Sequence, residues 1–342
     1  MNKTLKYTLL TILIVGLIFA TYLIYIFLIP NFTQNTEKEQ YLLIYENNNF
    51  DDILNQLKDK SKISSVYSFQ KAAVLLNYQD NIKQGRYLIP DRGNNISFLR
   101  TLRNGNQTPV NLTFSYIRTK EQLAGKLSGQ LMIDSVQLIH LLNDTIFLQK
   151  YSLNPFTSVS IFLPNTYQVY WDIEERKLFQ KMYDEYDRFW TPDRKSKAKE
   201  MNFSQDQVMT LASIVDAESN QLSEKAIIAG LYINRLQKNM ALQADPTVIF
   251  ATGDFTIKRV TNQLTRTDSP YNTYRNKGLP PGPIRIPQLK TIDAVLNYDK
   301  NNYIFMCAKE TLNGEHNFSD NWAEHLQNAK KYQQALNARG IY

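Results

Sequence analysis

Cysteine is all but absent. Cys307 is the single one, so no intramolecular disulfide can form. It lies in the apolar run Tyr303 to Ala308, which reads as a strand, and a buried, inert thiol is expected there. Histidine is nearly as scarce. His316 and His325 stand nine positions apart with no cysteine or carboxylate cluster beside them, a pattern suited to hydrogen bonding; neither a metal nor another cofactor is expected. Basic residues outnumber acidic ones, 39 to 32, but they are scattered, so a nucleic-acid partner is not expected. Repeats and low-complexity tracts are lacking too, which excludes a repeat array.

Long hydrophobic runs are also rare, and the one that stands out comes first. Lys3 and Lys6 precede Tyr7 to Ile29, a stretch without a charged residue that stops at Pro30. As a helix rising about 1.5 Å per residue it covers roughly 34 Å, enough for a hydrocarbon core of about 30 Å with some tilt. A cleaved signal peptide is the rival, but its apolar region is shorter, about 7–15 residues, and no small-x-small cleavage pattern follows Leu28. Residues 1–30 are therefore expected to form a cytoplasmic tip and a single uncleaved transmembrane anchor. With the two lysines before the span and Glu37 and Glu39 after it, the N-terminus is expected in the cytoplasm and the remaining chain outside the cell (inner) membrane. Setting those lysines aside, 37 basic residues stand against 32 acidic ones, a balance that suits an anionic envelope but specifies no ligand.

Over its full length the chain is 43% hydrophobic and 12% aromatic, and the part beyond the anchor is long enough for one large or two modest cores. Residues 31–40 are polar and read as a linker. From Tyr41 the order is strand (Tyr41 to Tyr45), helix (Asp51 to Lys58), helix (Ser68 to Asn77), strand (Gly85 to Ile89) and helix (Ile96 to Arg103). Residues 41–108 are expected to form a small subdomain on that pattern, and 109–342 a larger one. In the larger part, Val110 to Phe114 reads as a strand. Thr119 opens a short helix with a capping-box pattern, and Asp134 caps another. Phe162 to Tyr167 is a Pro-containing loop, rich in rings, that either lines a carbohydrate groove or simply packs. Glu174 to Trp190 is a long amphipathic helix, and Pro192 to Glu200 a charged connection. The fold class expected is α+β.

The stretch Gln207 to Met240 places a carboxylate where a solvated acid would not normally sit. On a helix, Val208, Leu211, Ala212 and Val215 form one apolar stripe whose next position falls at Glu218 or Ser219. A carboxyl group held against apolar side chains loses hydration, its charged form is disfavoured and its pKa rises, as a general acid near neutral pH requires. The pattern alone also admits a surface acid at a fraying terminus. Ser223 reads as the N-cap of a second helix with Glu224 in its first turn. Asp216, two residues before Glu218, does not share its face and reads as solvated.

After the second helix come Leu242 to Ile249, Ser269 to Tyr274 and Gly278 to Ile284, polar, aromatic and punctuated by Pro and Gly. Such loops are costly to order unless they build a site. Together, Glu218 in Ala212-Ser213-Ile214-Val215-Asp216-Ala217-Glu218, Asn234-Arg235-Leu236, Leu242-Gln243-Ala244-Asp245-Pro246-Thr247, Tyr271-Asn272-Thr273-Tyr274 and Gly278-Leu279-Pro280-Pro281-Gly282-Pro283-Ile284 resemble the endolytic murein transglycosylases of the YceG-like (MltG) family. The likeness extends to His316-Asn317-Phe318 and His325, and Gly85 to Asn106 resembles the LysM-like subdomain of the same family. It implies a membrane-bound lyase that cuts the β-1,4 bond between N-acetylmuramic acid and N-acetylglucosamine in nascent glycan strands, leaving 1,6-anhydro ends. Peptidoglycan strands are then the substrate, and peptidoglycan synthases (penicillin-binding proteins) the implied partners. Glu218 takes the acid/base role. Gln243, Asp245, Ser269, Tyr271, Asn272, Tyr274, Asn165, Tyr167 and His316 become substrate-binding candidates, although Asp245 before Pro246 equally suits a turn cap. A hydrolytic muramidase using Asp245 as second acid, or a non-catalytic wall-binding scaffold, stays open at this point.

Overall fold

The computed structural model describes residues 3–34 and 37–340, and its chain divides into two compact units. The first comprises residues up to Leu112 together with Gln130–Met132 and Tyr167–Ile173. It opens with α1 (Lys3–Phe27), a helix long and apolar enough to cross a membrane, on which Ile26 is the buried residue. Next come β1 (Phe32–Gln34), β2 (Tyr41–Ile44), α2 (Phe50–Lys60), β3 (Ser61–Ile63), α3 (Val66–Leu75), β4 (Gly85–Leu88) and α4 (Asn95–Asn104). β1 pairs antiparallel with β3, and β2 with β4, Leu42 standing opposite Tyr87. β5 (Val110–Thr113) pairs with β6 (Thr166–Val169), most of which belongs to this unit.

Helix starts in this unit are set by side chains that satisfy the free N–H groups of a first turn. Asn49 and Asp52 form a reciprocal capping box on α2, and Asn94 caps α4 by accepting from Ser97 N–H at 2.9 Å. The expected linker begins differently: Phe32 is buried, with its ring edge-on to Phe69 (5.6 Å) and Phe98 (5.0 Å), so β1 belongs to the folded core. Asn35 and Thr36 of that stretch lie outside the described residues. Buried Asn95 donates to the Ile26 carbonyl at 2.7 Å and accepts from Asn31 at 2.8 Å, so this amide is paired inside the core.

The second unit holds α5 (Lys120–Ser128), α6 (Ser135–Leu141), α7 (Thr145–Gln149), α8 (Glu175–Phe189), α9 (Pro192–Glu200), α10 (Gln205–Glu218), α11 (Leu222–Gln237), α12 (Asp245–Thr252), α13 (Leu289–Leu296), the antiparallel hairpin β7 (Phe305–Ala308) and β8 (His316–Ser319), and α14 (Trp322–Ala338). The charged connection expected at 192–200 is a helix. Thr191 caps it and Pro192 occupies its first turn, where proline's missing N–H costs nothing. The centre of the unit is α10, from Val208 to Asp216 buried on every side and packed by α11, α12 and α13. The overall class is α+β.

Candidate active site

α10 starts with a capping box, Ser204 accepting from Gln207 N–H while the Gln207 side chain accepts from Ser204 N–H, and it ends at Glu218. The Gly/Pro loop before α13 buttresses it, since Ile284 N–H donates to Ser213 Oγ at 3.0 Å. Gly282 in that loop has no alternative: a Cβ there would meet the Phe156 carbonyl oxygen at 2.1 Å.

Asp216 is not solvated. Only 4% exposed, it accepts from Lys225 Nζ at 2.6 Å and Thr291 Oγ1 at 2.5 Å, with Arg285 Nε at 3.4 Å. α13 and α11 cover the side of α10 that local spacing leaves open. Nor is Ser223 a cap. α11 begins at Leu222, and Ser219 closes the bend by accepting from Gln221 N–H at 3.0 Å and donating to Glu224 at 3.1 Å. Glu224, 7% exposed, also takes the backbone N–H of His316 at 2.7 Å and lies 3.0 Å from its ring Nδ1.

Glu218 is part-buried in the wall of a cleft of about 440 Å³. Tyr232, fully enclosed on α11, donates its hydroxyl to Glu218 Oε1 at 2.6 Å. Desolvation pushes the Glu218 pKa up to about 7, with the charge of Asp245 adding to the rise and the Tyr232 hydrogen bond opposing it. The donor on Oε1 leaves Oε2 as the oxygen that carries the proton of the neutral acid. Burial also holds the Tyr232 hydroxyl well above its ordinary pKa, so it stays a donor.

On the same helix, Arg235 ties α11 to two other segments: Nε to the Ala241 carbonyl (2.9 Å) and Nη2 to Gln243 Oε1 (2.6 Å) on one, and Nη1 to the Ile304 carbonyl (2.7 Å) on the other. Gln243 sits in the left-handed region with φ of 55°, a strained conformation held by these bonds and by its own N–H on the Thr273 carbonyl. Asp245 opens α12, where the helix dipole favours an acid, and accepts from Tyr274 OH at 2.6 Å. It thus serves both the helix start and the cleft. β7, β8 and α14 close the far side with Phe305, Cys307, His316, Trp322 and His325. Cys307 is half-buried rather than buried, and desolvation raises its thiol pKa.

Of the sequence candidates, Glu218, Gln243, Asp245, Tyr274 and His316 meet in this cleft. Tyr271 lines a neighbouring hollow with Arg118 and Phe156, its ring 4.6 Å from Phe250, and burial pushes its hydroxyl to about 12. Asn272 is spent on the loop itself: its amide donates to the Thr265 and Thr267 carbonyls and accepts from Tyr274 N–H, which aims Tyr274. Ser269 Oγ accepts from Tyr271 N–H. Asn165 is exposed, its side chain turned to Thr166 N–H, and Tyr167 is a buried strand residue of the first unit, not a loop residue. Tyr232, Glu224 and Trp322 were not singled out as site residues. The signal available for Tyr232 was its spacing from Arg235, three positions on, which puts a ring and a cation on one helix face. A larger hollow of about 620 Å³, lined by exposed Gln137, His140, Glu174 and Arg176, holds no buried carboxylate.

The family model described as YceG-like matches residues 42–331. The chain belongs to the YceG-like family. Its YceG-like sequence is 38% identical over 145 residues to the endolytic murein transglycosylase of Bacillus subtilis, an alignment that takes in 42% of this chain and 39% of that one. It is 26% identical over 328 residues to the endolytic murein transglycosylase of Streptococcus pneumoniae, covering 87% of this chain and 59% of the relative. The matches thus span less than two thirds of either curated relative's length. A crystal structure of a yceG-like protein from Listeria monocytogenes superposes with a TM-score of 0.58 at 25% identity, over 85% of this chain and 99% of that one.

Proposed function

We propose that this YceG-like chain is an endolytic murein transglycosylase that cleaves the β-1,4 bond between N-acetylmuramic acid and N-acetylglucosamine within glycan strands. Glu218 is its general acid and then its general base. The single observation that carries the reading is the Glu218 carboxyl, its pKa near 7, with Tyr232 donating to one oxygen and the other left for the cleft. Two curated relatives bear the name of this activity.

The chemistry follows from one carboxylate. Protonated Glu218 gives its Oε2 proton to the glycosidic oxygen, which leaves as a sugar hydroxyl while positive charge develops at the ring carbon. The muramic acid's own 6-hydroxyl then attacks that carbon, and its proton passes to the Glu218 carboxylate, so the acid is regenerated and no water is consumed. A nucleophile within the same sugar has a high effective concentration and needs no second carboxylate to activate water. Asp245 and Tyr274, hydrogen-bonded to each other in the cleft wall, supply negative charge and a hydroxyl oxygen to the positively charged transition state. A hydrolytic muramidase is the second reading, because Asp245 lines the same cleft and would there activate a water.

α1 serves as a single-pass anchor with Lys3 and Lys6 on the cytoplasmic side, leaving the chain after it outside. The antiparallel pairing of β2 with β4, with α2, β3 and α3 between them in the chain, supports a LysM-like role for the first unit in holding glycan. Family resemblance points to peptidoglycan synthases as partners. The test is a mass spectrum of fragments released from glycan strands by the full chain in detergent: 1,6-anhydro ends are expected, and reducing ends would establish the hydrolase instead.

A further inference from the structure

We propose that Glu224 is a positioning residue that fixes the tautomer of His316, so that His316 offers Nε2 as a bare acceptor to a hydroxyl or amide N–H of the sugar beside Glu218. The identity of the ligand rests on the glycan reading above; the tautomer does not.

The geometry is decided by what a carboxylate cannot do. Glu224 is almost fully buried in the first turn of α11, and its two oxygens only accept. One takes the His316 backbone N–H at 2.7 Å. The other receives Ser219 Oγ–H and stands 3.0 Å from His316 Nδ1. A bare Nδ1 would set lone pair against lone pair, so Nδ1 carries the proton, and in the neutral ring Nε2 is then bare. Among the described residues no protein group is recorded bonding Nε2, and His316 lines the cleft that Glu218 shares.

The cleft has a use for such an atom. Tyr232 donates to Glu218, Tyr274 to Asp245, and Arg235 to two carbonyls and Gln243. A sugar bound there brings its own O–H and N–H donors, which need acceptors. A neutral imidazole accepts without adding negative charge beside Glu218, where a further carboxylate would drive its pKa higher still. Glu224 also holds Ser219, the residue after Glu218, so a purely structural role must be separated from a tautomeric one.

Histidine-selective 15N NMR on the full chain in detergent, with the His316 signal assigned by its loss in His316→Gln, reads the tautomer directly. The proton is expected on Nδ1 in the wild type and on Nε2 in Glu224→Gln, whose amide donates to Nδ1. A wild-type proton on Nε2 would overturn the proposal. The second arm is a double-mutant cycle on kcat/KM for release of anhydro-ended fragments. Glu224→Gln is expected to cost about 10–100-fold beside His316, by analogy with the range for groups that orient a metal-ligating histidine. Beside His316→Gln, whose amide oxygen accepts whatever faces it, the cost should fall below about twofold. Equal losses in both backgrounds would mean that Glu224 acts only through the fold. If the wild type released no anhydro ends at all, the glycan reading would fall while the NMR arm still decided the tautomer.

Discussion

The Glu218 carboxyl is balanced between two opposing effects, and each gives a measurable consequence. Burial raises its pKa and the Tyr232 hydroxyl lowers it. In Tyr232→Phe only the rise remains, so the acid form persists to higher pH: the alkaline limb of the kcat/KM profile should move upward, with a lower plateau because nothing directs the proton to Oε2. An unmoved limb would show that the limb reports another group. Stability carries the same sign. A carboxyl whose pKa is about 7 when folded and 4.5 when unfolded binds its proton more tightly in the native state, so stability falls as pH rises between those values. Glu218→Gln has no such dependence and should exceed the wild type by on the order of 1–3 kcal/mol at pH 8, the two converging near pH 4, as melting curves across that range would show. Equal stabilities at pH 8 would mean that the carboxyl is solvated. Glu218 was legible because it ends an apolar helical stripe. Tyr232 was not, since only the packing of α11 on α10 brings a residue fourteen positions away onto that oxygen.

At the scale of elements, α10 is legible as a helix but not as one buried all round. Local periodicity shows one apolar face; the opposite face is covered by α13, whose Thr291 lies 75 positions from Asp216. Asp216 therefore looks like a solvated neighbour in the sequence and is an ion-paired strut in the fold. Removing it should leave Lys225 uncompensated in the interior. Asp216→Ala is expected to cost about 3–5 kcal/mol in denaturant unfolding, the range for breaking a buried pair; a loss below about 0.5 kcal/mol, the level of a surface substitution, would mean that Lys225 reaches water. β1 and β3 escaped notice because three residues are too few to display a two-residue period. α9 escaped because Ala198 is its one buried residue, leaving no apolar stripe, although Thr191-Pro192 signals a helix start.

For the whole molecule, the proposed topology puts the cleft on the far side of the membrane from Lys3. A reporter fused after Tyr342 is expected to be active outside the cytoplasm and not inside it. Cytoplasmic activity of the reporter would remove the chain from its proposed substrate. The central claim is that one carboxyl performs both proton transfers, and Glu218→Gln tests it most directly because the amide keeps the size and cannot give up a proton. The measurement is the rate at which wild type and variant, both as the full chain with melting curves that show an intact fold, release anhydro-ended fragments. General acid–base catalysis contributes about 10²–10⁴-fold, and with one group serving twice the rate should fall by about 10⁴ or more. A Glu218→Gln rate above about a tenth of the wild type is incompatible with loss of a general acid and would pass the role to Asp245.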